Sequence, residues 1–145
     1  AFTPIQPPFD AKWRYFWNIG NPVDAVPNQV PVDFPEWATV MDRWGNHMID
    51  GCNVVAEMAA LGMGLEKNTF TKLMVDGPHK LAPTGSDLTK YETGTVFAGF
   101  HYDFNFLTIH GKSRYPGLFA WLRTGEKFTV SVPEGHLLLQ AGKEF

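Results

Sequence analysis

Seven residues constrain the chain most: Trp37, Met41, Trp44, Met48, Cys52, Val55 and Ala59 recur at steps of three and four. That spacing lines one face of an α-helix. Asp33 is placed to cap its start, Pro35 fits a first turn, and Glu36 suits the positive helix end. Gly62 and Gly64 end it. A helix of about 28 residues is about 42 Å long at 1.5 Å per residue. Gly45 and Gly51 inside it each cost up to about 1 kcal/mol against alanine, so packing must hold it. The stretch EKNTFTKLMVDG then reads as a second, short helix, closed by Gly77-Pro78.

On either side of the helices the texture changes. Six prolines fall before residue 34. Proline removes amide donors and is excluded from helix interiors, so residues 1–32 read as an extended arm. Inside it KWRYFWNIG alternates Trp13, Tyr15 and Trp17 against Lys12, Arg14 and Phe16, as one short strand would. After Pro78 the runs GTVFAGFHYD, FLTIHG, GLFAWL, EKFTVSV and HLLLQAG are short and rich in Val, Phe, Leu and Thr, separated by the turn signals GKSRYPG, RTGEK and VPEG. Close strands with tight turns pair antiparallel. The expected fold class is mainly β with helices. It reads as one domain overall: an arm at 1–32, a helical segment at 33–77 and a β core at 78–145.

The chain has 145 residues and a net charge of −3, with no basic cluster. That argues against nucleic acid and against an anionic membrane surface as partners. No stretch of about 18 apolar residues exists to span a bilayer. The single cysteine, Cys52, excludes an intrachain disulfide and suits a reducing compartment, so a cytoplasmic location is expected. The first residues have neither the basic nor the apolar region of a signal peptide, and no initiator methionine. The chain is therefore expected to be processed or to be a piece of something longer. The tryptophans at 13, 17, 37, 44 and 121 read as packing anchors.

One pair of residues points to chemistry. His101 and Asp103 form the chain's one H-x-D, at the end of an apolar, β-like run. Two residues apart on a strand, both side chains project from one face. With five histidines, composition alone gives such a pair about a quarter of the time, so the spacing is weak by itself. Imidazole and carboxylate on one face supply two members of the 2-His-1-carboxylate triad that holds iron(II) with open positions. The bland alternative is a histidine and an aspartate hydrogen-bonded to each other on a wet sheet face. His47, His79, His110 and His136 read as structural or solvent-facing. Phe104 and Phe106 flank the pair and are candidate apolar walls of a substrate pocket. Arg114 and Arg123 read as surface residues.

Residues 99–142 as a whole resemble the isopenicillin N synthase-like, 2-oxoglutarate-dependent oxygenases. The pieces that carry the resemblance are His101-Tyr102-Asp103, Leu107-Thr108-Ile109, Gly117-Leu118, Val132-Pro133-Glu134-Gly135 and the apolar run at 137–142, in that order. The helix exit Leu-Gly-Met-Gly-Leu at 61–65 is similar too. The resemblance implies a partial double-stranded β-helix (jelly roll) preceded by one long and one short helix. It implies iron(II) bound by His101 and Asp103, with 2-oxoglutarate and O2 as co-reactants in hydroxylation, desaturation or ring closure of a small molecule.

The family's second metal histidine and the Arg-x-Ser that grips 2-oxoglutarate lie later than residue 145, and the family's Tyr-Pro is replaced here by Ala82-Pro83. The expectation is thus a fragment of an oxygenase, inactive by itself, whose partners are a small-molecule substrate, O2 and the rest of its own chain or a homo-oligomer. Two other readings stand beside it. One is a non-catalytic jelly-roll binding or interaction module with the His-Asp pair a relic; the other is a cupin-like metal enzyme of another reaction type.

Overall fold

The structure, a computed structural model, describes residues 10–20 and 26–145. The chain divides into two compact units, Ala1–Tyr102 and Asp103–Phe145. Of the arm's prolines, Pro4, Pro7, Pro8 and Pro22 lie outside the described residues.

In the first unit, strands β1 (Trp13–Arg14) and β2 (Trp17–Asn18) precede helix α1 (Trp37–Gly62); helix α2 (Thr71–Met74) and strands β3 (Lys80–Leu81) and β4 (Thr84–Gly85) follow. The helix starts later than Asp33 suggests. Phe34 precedes Pro35 and is thereby disfavoured from the helical region. The chain turns instead, the Phe34 amide donating to the Pro31 carbonyl (3.1 Å) and the Trp37 amide to the Phe34 carbonyl (3.0 Å). Glu36 takes the cap position and makes no side-chain cap bond. The far end closes as a Schellman motif: the Leu65 amide donates to the Ala60 carbonyl (2.9 Å) and that of Gly64 to Leu61 (3.0 Å). Gly64 has φ +73°, a conformation that a side chain would strain.

The buried stripe of α1 is Met41, Gly45, Met48, Cys52, Ala56 and Ala60. Met41, Met48 and Cys52 agree with the sequence reading. Trp37, Trp44, Val55 and Ala59 do not belong to it, and Trp44 is 51% exposed. The reason is close approach. A Cβ at Gly45 would lie 2.6 Å from Ile19 Cγ1, so the arm rests against bare helix backbone, where an indole has no room. Tryptophan burial differs from expectation in the same way. Trp17 is 2% exposed, but Trp13, Trp44 and Trp121 are exposed.

The run KWRYFWNIG is two strands rather than one. β1 pairs antiparallel with β4, Trp13 opposite Gly85, and β2 pairs antiparallel with β3, Trp17 opposite Leu81. Between them the Tyr15 amide donates to the Pro83 carbonyl (2.9 Å), and beyond them that of Ile19 to His79 (3.1 Å). The arm is fastened to α1 by Asp42, whose Oδ1 accepts from Trp17 Nε1 (2.7 Å) and from the Gly20 amide (3.1 Å). Asn28 completes the clamp: its Oδ1 accepts from the Asn18 amide (2.7 Å), and its Nδ2 donates to the Asn18 carbonyl (2.8 Å).

Residues 94–103, expected to be a strand, are not one. A strand needs a partner for its ladder. Here the backbone bonds to side chains instead: the Gly99 amide donates to Asp10 Oδ1 (3.3 Å), and the Gly99 carbonyl accepts from the His101 ring (2.8 Å).

The second unit contains β5 (Leu107–His110), β6 (Phe119–Trp121), β7 (Lys127–Thr129) and β8 (Leu138–Ala141). The other four expected β runs are therefore strands, and all pairs are antiparallel. β6 and β7 form a hairpin whose turn closes with the Gly125 amide donating to the Leu122 carbonyl (2.9 Å). β5 skips its sequence neighbour and pairs with β8, Thr108 opposite Gln140 and His110 opposite Leu138. The hairpin is nested inside that pair. Many short strands behind one long helix fit part of a jelly roll.

Candidate functional site

Period-two alternation sorts β5 and β8 into two faces. Leu107 and Ile109 lie with Leu139 and Ala141 on one; Thr108 and His110 lie with Leu138 and Gln140 on the other. The second face carries polar chemistry. Thr108 Oγ1 donates to Asp103 Oδ2 (2.6 Å), and Asn105 Nδ2 donates to Thr108 Oγ1 (2.8 Å). His110 Nε2 and Gln140 Oε1 lie 2.5 Å apart on the diagonal. Asn105 thus holds Thr108, and Thr108 holds the carboxylate of Asp103.

Backbone bonds fix the segment that carries this relay. The Lys143 amide donates to the Asp103 carbonyl (2.9 Å), that of Gly142 to Phe106 (2.9 Å) and that of Glu144 to Asn105 (3.2 Å). The approach at Gly142 is so close that a Cβ there would lie 2.6 Å from the Asn105 carbonyl carbon. Asn105 Oδ1 is buried with no hydrogen-bond partner among the described residues.

His101 belongs to the first unit. Its Nδ1 lies 2.8 Å from the Gly99 carbonyl oxygen. A carbonyl can only accept, so Nδ1 carries a proton, which in the imidazole tautomer puts the lone pair on Nε2. This backbone-anchored tautomer is the one that metal-ligating histidines commonly adopt. Asp103, with one carboxylate oxygen engaged by a hydroxyl, likewise has the outer partner typical of a ligating carboxylate. The donor chemistry of both residues therefore suits a divalent metal. Neither stands on a strand, contrary to the period-two argument, because both fall in segments without a ladder. Among the described residues no group of three or more His, Cys, Asp or Glu side chains is placed to hold a metal ion.

Phe104 is 80% exposed, with Lys143 Nζ 5.2 Å from its ring centre. Phe106 packs on Phe145, ring centres 4.9 Å apart. In the first unit, His101 and Phe100 share an open cleft of about 300 Å³ with Asp10, Lys12, Arg14 and Gly99. Lys12 Nζ pairs with Asp10 Oδ2 at 3.1 Å. This hydrogen bond, aided by the Gly99 amide, holds the Asp10 carboxyl below its usual range.

Sequence reasoning missed Asn105, Thr108 and Gln140, and the cations of the first cleft. The alternation of Thr108 and His110 against Leu107 and Ile109 was the available signal for the relay. Nothing local brings Lys12 and Arg14 to His101, since that pairing spans most of the first unit.

No family model and no curated protein matches the sequence. Among solved structures the fold is that of an α-ketoglutarate-bound protein. The match is the full-length thymine-7-hydroxylase of Neurospora crassa in complex with alpha-KG, at a TM-score of 0.78 and 22% identity, over 92% of this chain and 43% of that one. The likeness shows a shared fold, and the chain spans less than half the length of the protein it matches. No helix among the described residues is long and apolar enough to cross a membrane.

Proposed function

We propose that this chain is a piece of a non-haem iron(II), 2-oxoglutarate-dependent oxygenase that oxidises a small molecule in the cytoplasm. The observation that carries the proposal is the fold shared with a protein solved with alpha-KG, over 92% of this chain. His101 and Asp103 are the metal ligands in this reading. Their chemistry supports it: the Gly99 carbonyl orients the imidazole, and Thr108 orients the carboxylate. Iron(II) with 2-oxoglutarate and O2 supplies the oxidising power to functionalise a C–H bond. The chain's own part is to supply one imidazole nitrogen and one carboxylate oxygen, each oriented by its own outer partner, with Phe104 and Phe106 as apolar walls for the substrate.

Two ligands hold a ferrous ion weakly, so the 145 residues alone are not expected to turn over substrate. The rest of the site is expected from further residues of the same protein or from a second copy. The test is anaerobic addition of iron(II) and 2-oxoglutarate to the full-length protein, followed by visible absorption. A metal-to-ligand charge-transfer band is expected, and His101→Ala or Asp103→Ala should abolish it. A full-length protein that shows no band is not such an oxygenase.

A further inference from the structure

The cleft beside His101 has a charge imbalance of its own. It contains two cations, Lys12 and Arg14, and one carboxylate, Asp10. Both oxygens of Asp10 are engaged: Lys12 Nζ lies 3.1 Å from Oδ2, and the Gly99 amide donates to Oδ1 at 3.3 Å. The Lys12 side chain is only 13% exposed, so that ion pair is part of the wall. Arg14 is different. Its Nε donates to Thr84 Oγ1 (3.3 Å), and its guanidinium carbon lies 5.8 Å from the Phe16 ring centre. Among the described residues no carboxylate pairs with it.

Both of those contacts orient the guanidinium without neutralising it. Strand pairing fixes its base, since Arg14 lies opposite Thr84 in the β1–β4 ladder. A planar fork, uncompensated and held in an open cleft, suits a carboxylate. The adjoining wall is aromatic: Phe100 lines the cleft and meets Tyr102 edge-to-face, ring centres 5.3 Å apart.

We infer that this cleft binds the carboxylate of an anionic, flat-bodied substrate, with Arg14 as the anion-recognising residue and Phe100 against the apolar body. The inference names the substrate class within the oxygenase reading and rests on that reading for His101's role. It differs from co-substrate binding in its anchor: Arg14 belongs to the arm, and of the metal pair only His101 lines the cleft.

The probe is benzoate, titrated into the metal-free chain and followed by amide shifts in ¹H–¹⁵N spectra. Saturable shifts are expected at Gly99, Phe100 and His101, weakening as salt is raised, with none from the neutral isostere benzamide. Arg14→Gln should weaken benzoate about tenfold, as loss of a charge-assisted bidentate contact does. Arg14→Lys, which keeps the charge and loses the fork, should fall between. Lys112→Gln, the same charge change in the second unit, should leave affinity unaltered. Equal shifts from benzamide, salt-independent binding, or unchanged affinity in Arg14→Gln would overturn the inference. If Arg14→Gln does not fold, the salt and benzamide arms decide it. Displacement of benzoate by 2-oxoglutarate at far lower concentration would assign the cleft to the co-substrate and overturn the substrate assignment. Benzoate binding without any charge-transfer band in the full-length protein would refute the oxygenase reading alone; the band without benzoate binding would refute the cleft alone.

Discussion

Replacing Gly142 by alanine tests the packing that holds Asp103 in place. The new Cβ would lie 2.6 Å from the Asn105 carbonyl carbon and closer still to its oxygen. The obstacle is backbone, so no side-chain rotation relieves it. The segments must separate, straining the three backbone hydrogen bonds that join 142–144 to Phe106, Asp103 and Asn105. Losing one or two such bonds costs about 0.5–1.5 kcal/mol each. Overpacking costs about 1–3 kcal/mol more, and the reduced freedom of the unfolded chain returns about 0.4–1 kcal/mol. The net destabilisation is about 2–4 kcal/mol, a large share of the roughly 5–15 kcal/mol that holds a typical domain. With an m-value of about 2 kcal/mol/M, the urea midpoint should fall by about 1–2 M. Far-UV circular dichroism follows the transition. Gly111→Ala is the control, since a Cβ there meets only Leu137 Cδ2 at 3.9 Å. If Gly142→Ala unfolds at the same urea concentration as Gly111→Ala, segments 103–106 and 142–144 are not laced together as described.

Three other outcomes follow from named contacts. Thr108→Val removes the hydroxyl that joins Asn105 to Asp103 Oδ2; cobalt(II) titration of the full-length protein should show affinity lowered about 10–100-fold, as loss of an outer partner does. Asp42→Ala leaves Trp17 Nε1 and the Gly20 amide without their acceptor; the buried indole donor alone should cost about 1–3 kcal/mol by urea denaturation. Burial raises the Cys52 thiol above its ordinary value of 9.0. The unfolded chain therefore loses this proton at lower pH than the folded one, and stability should decline as pH rises past that value. Cys52→Ser should flatten that decline, and iodoacetamide should alkylate native Cys52 far more slowly than urea-unfolded chain.

The two helices and the turns were legible because their signals are local. Period three-to-four, Gly62-x-Gly64 and Gly77-Pro78 act within a few residues of the structure they cause. The face of α1 was legible only in part. Hydrophobicity favoured Trp44 over Ala56, but the stripe is chosen by what lies against it, and the arm needs small residues there. Pairing partners were not legible. Nothing near Trp13 announces Gly85, and the β-rich composition of 94–103 does not reveal that its amides bond elsewhere. At the candidate site, the residue types of His101 and Asp103 could be read, whereas their strand geometry could not. Their orienting partners depend on Thr108 folding back toward Asp103, which spacing alone does not express.

The nested strand order of the second unit has a kinetic consequence. β6 and β7 meet across a short turn, so they can zip on the microsecond scale of isolated hairpins. β5 must wait for β8, and closing the intervening residues 111–137 as slack chain carries a loop-entropy cost that the finished hairpin shortens. During synthesis the Thr108 face emerges from the ribosome long before Gln140 does. Until then β5 is an unsatisfied sheet edge, the kind of surface that chaperones shield and that aggregation exploits.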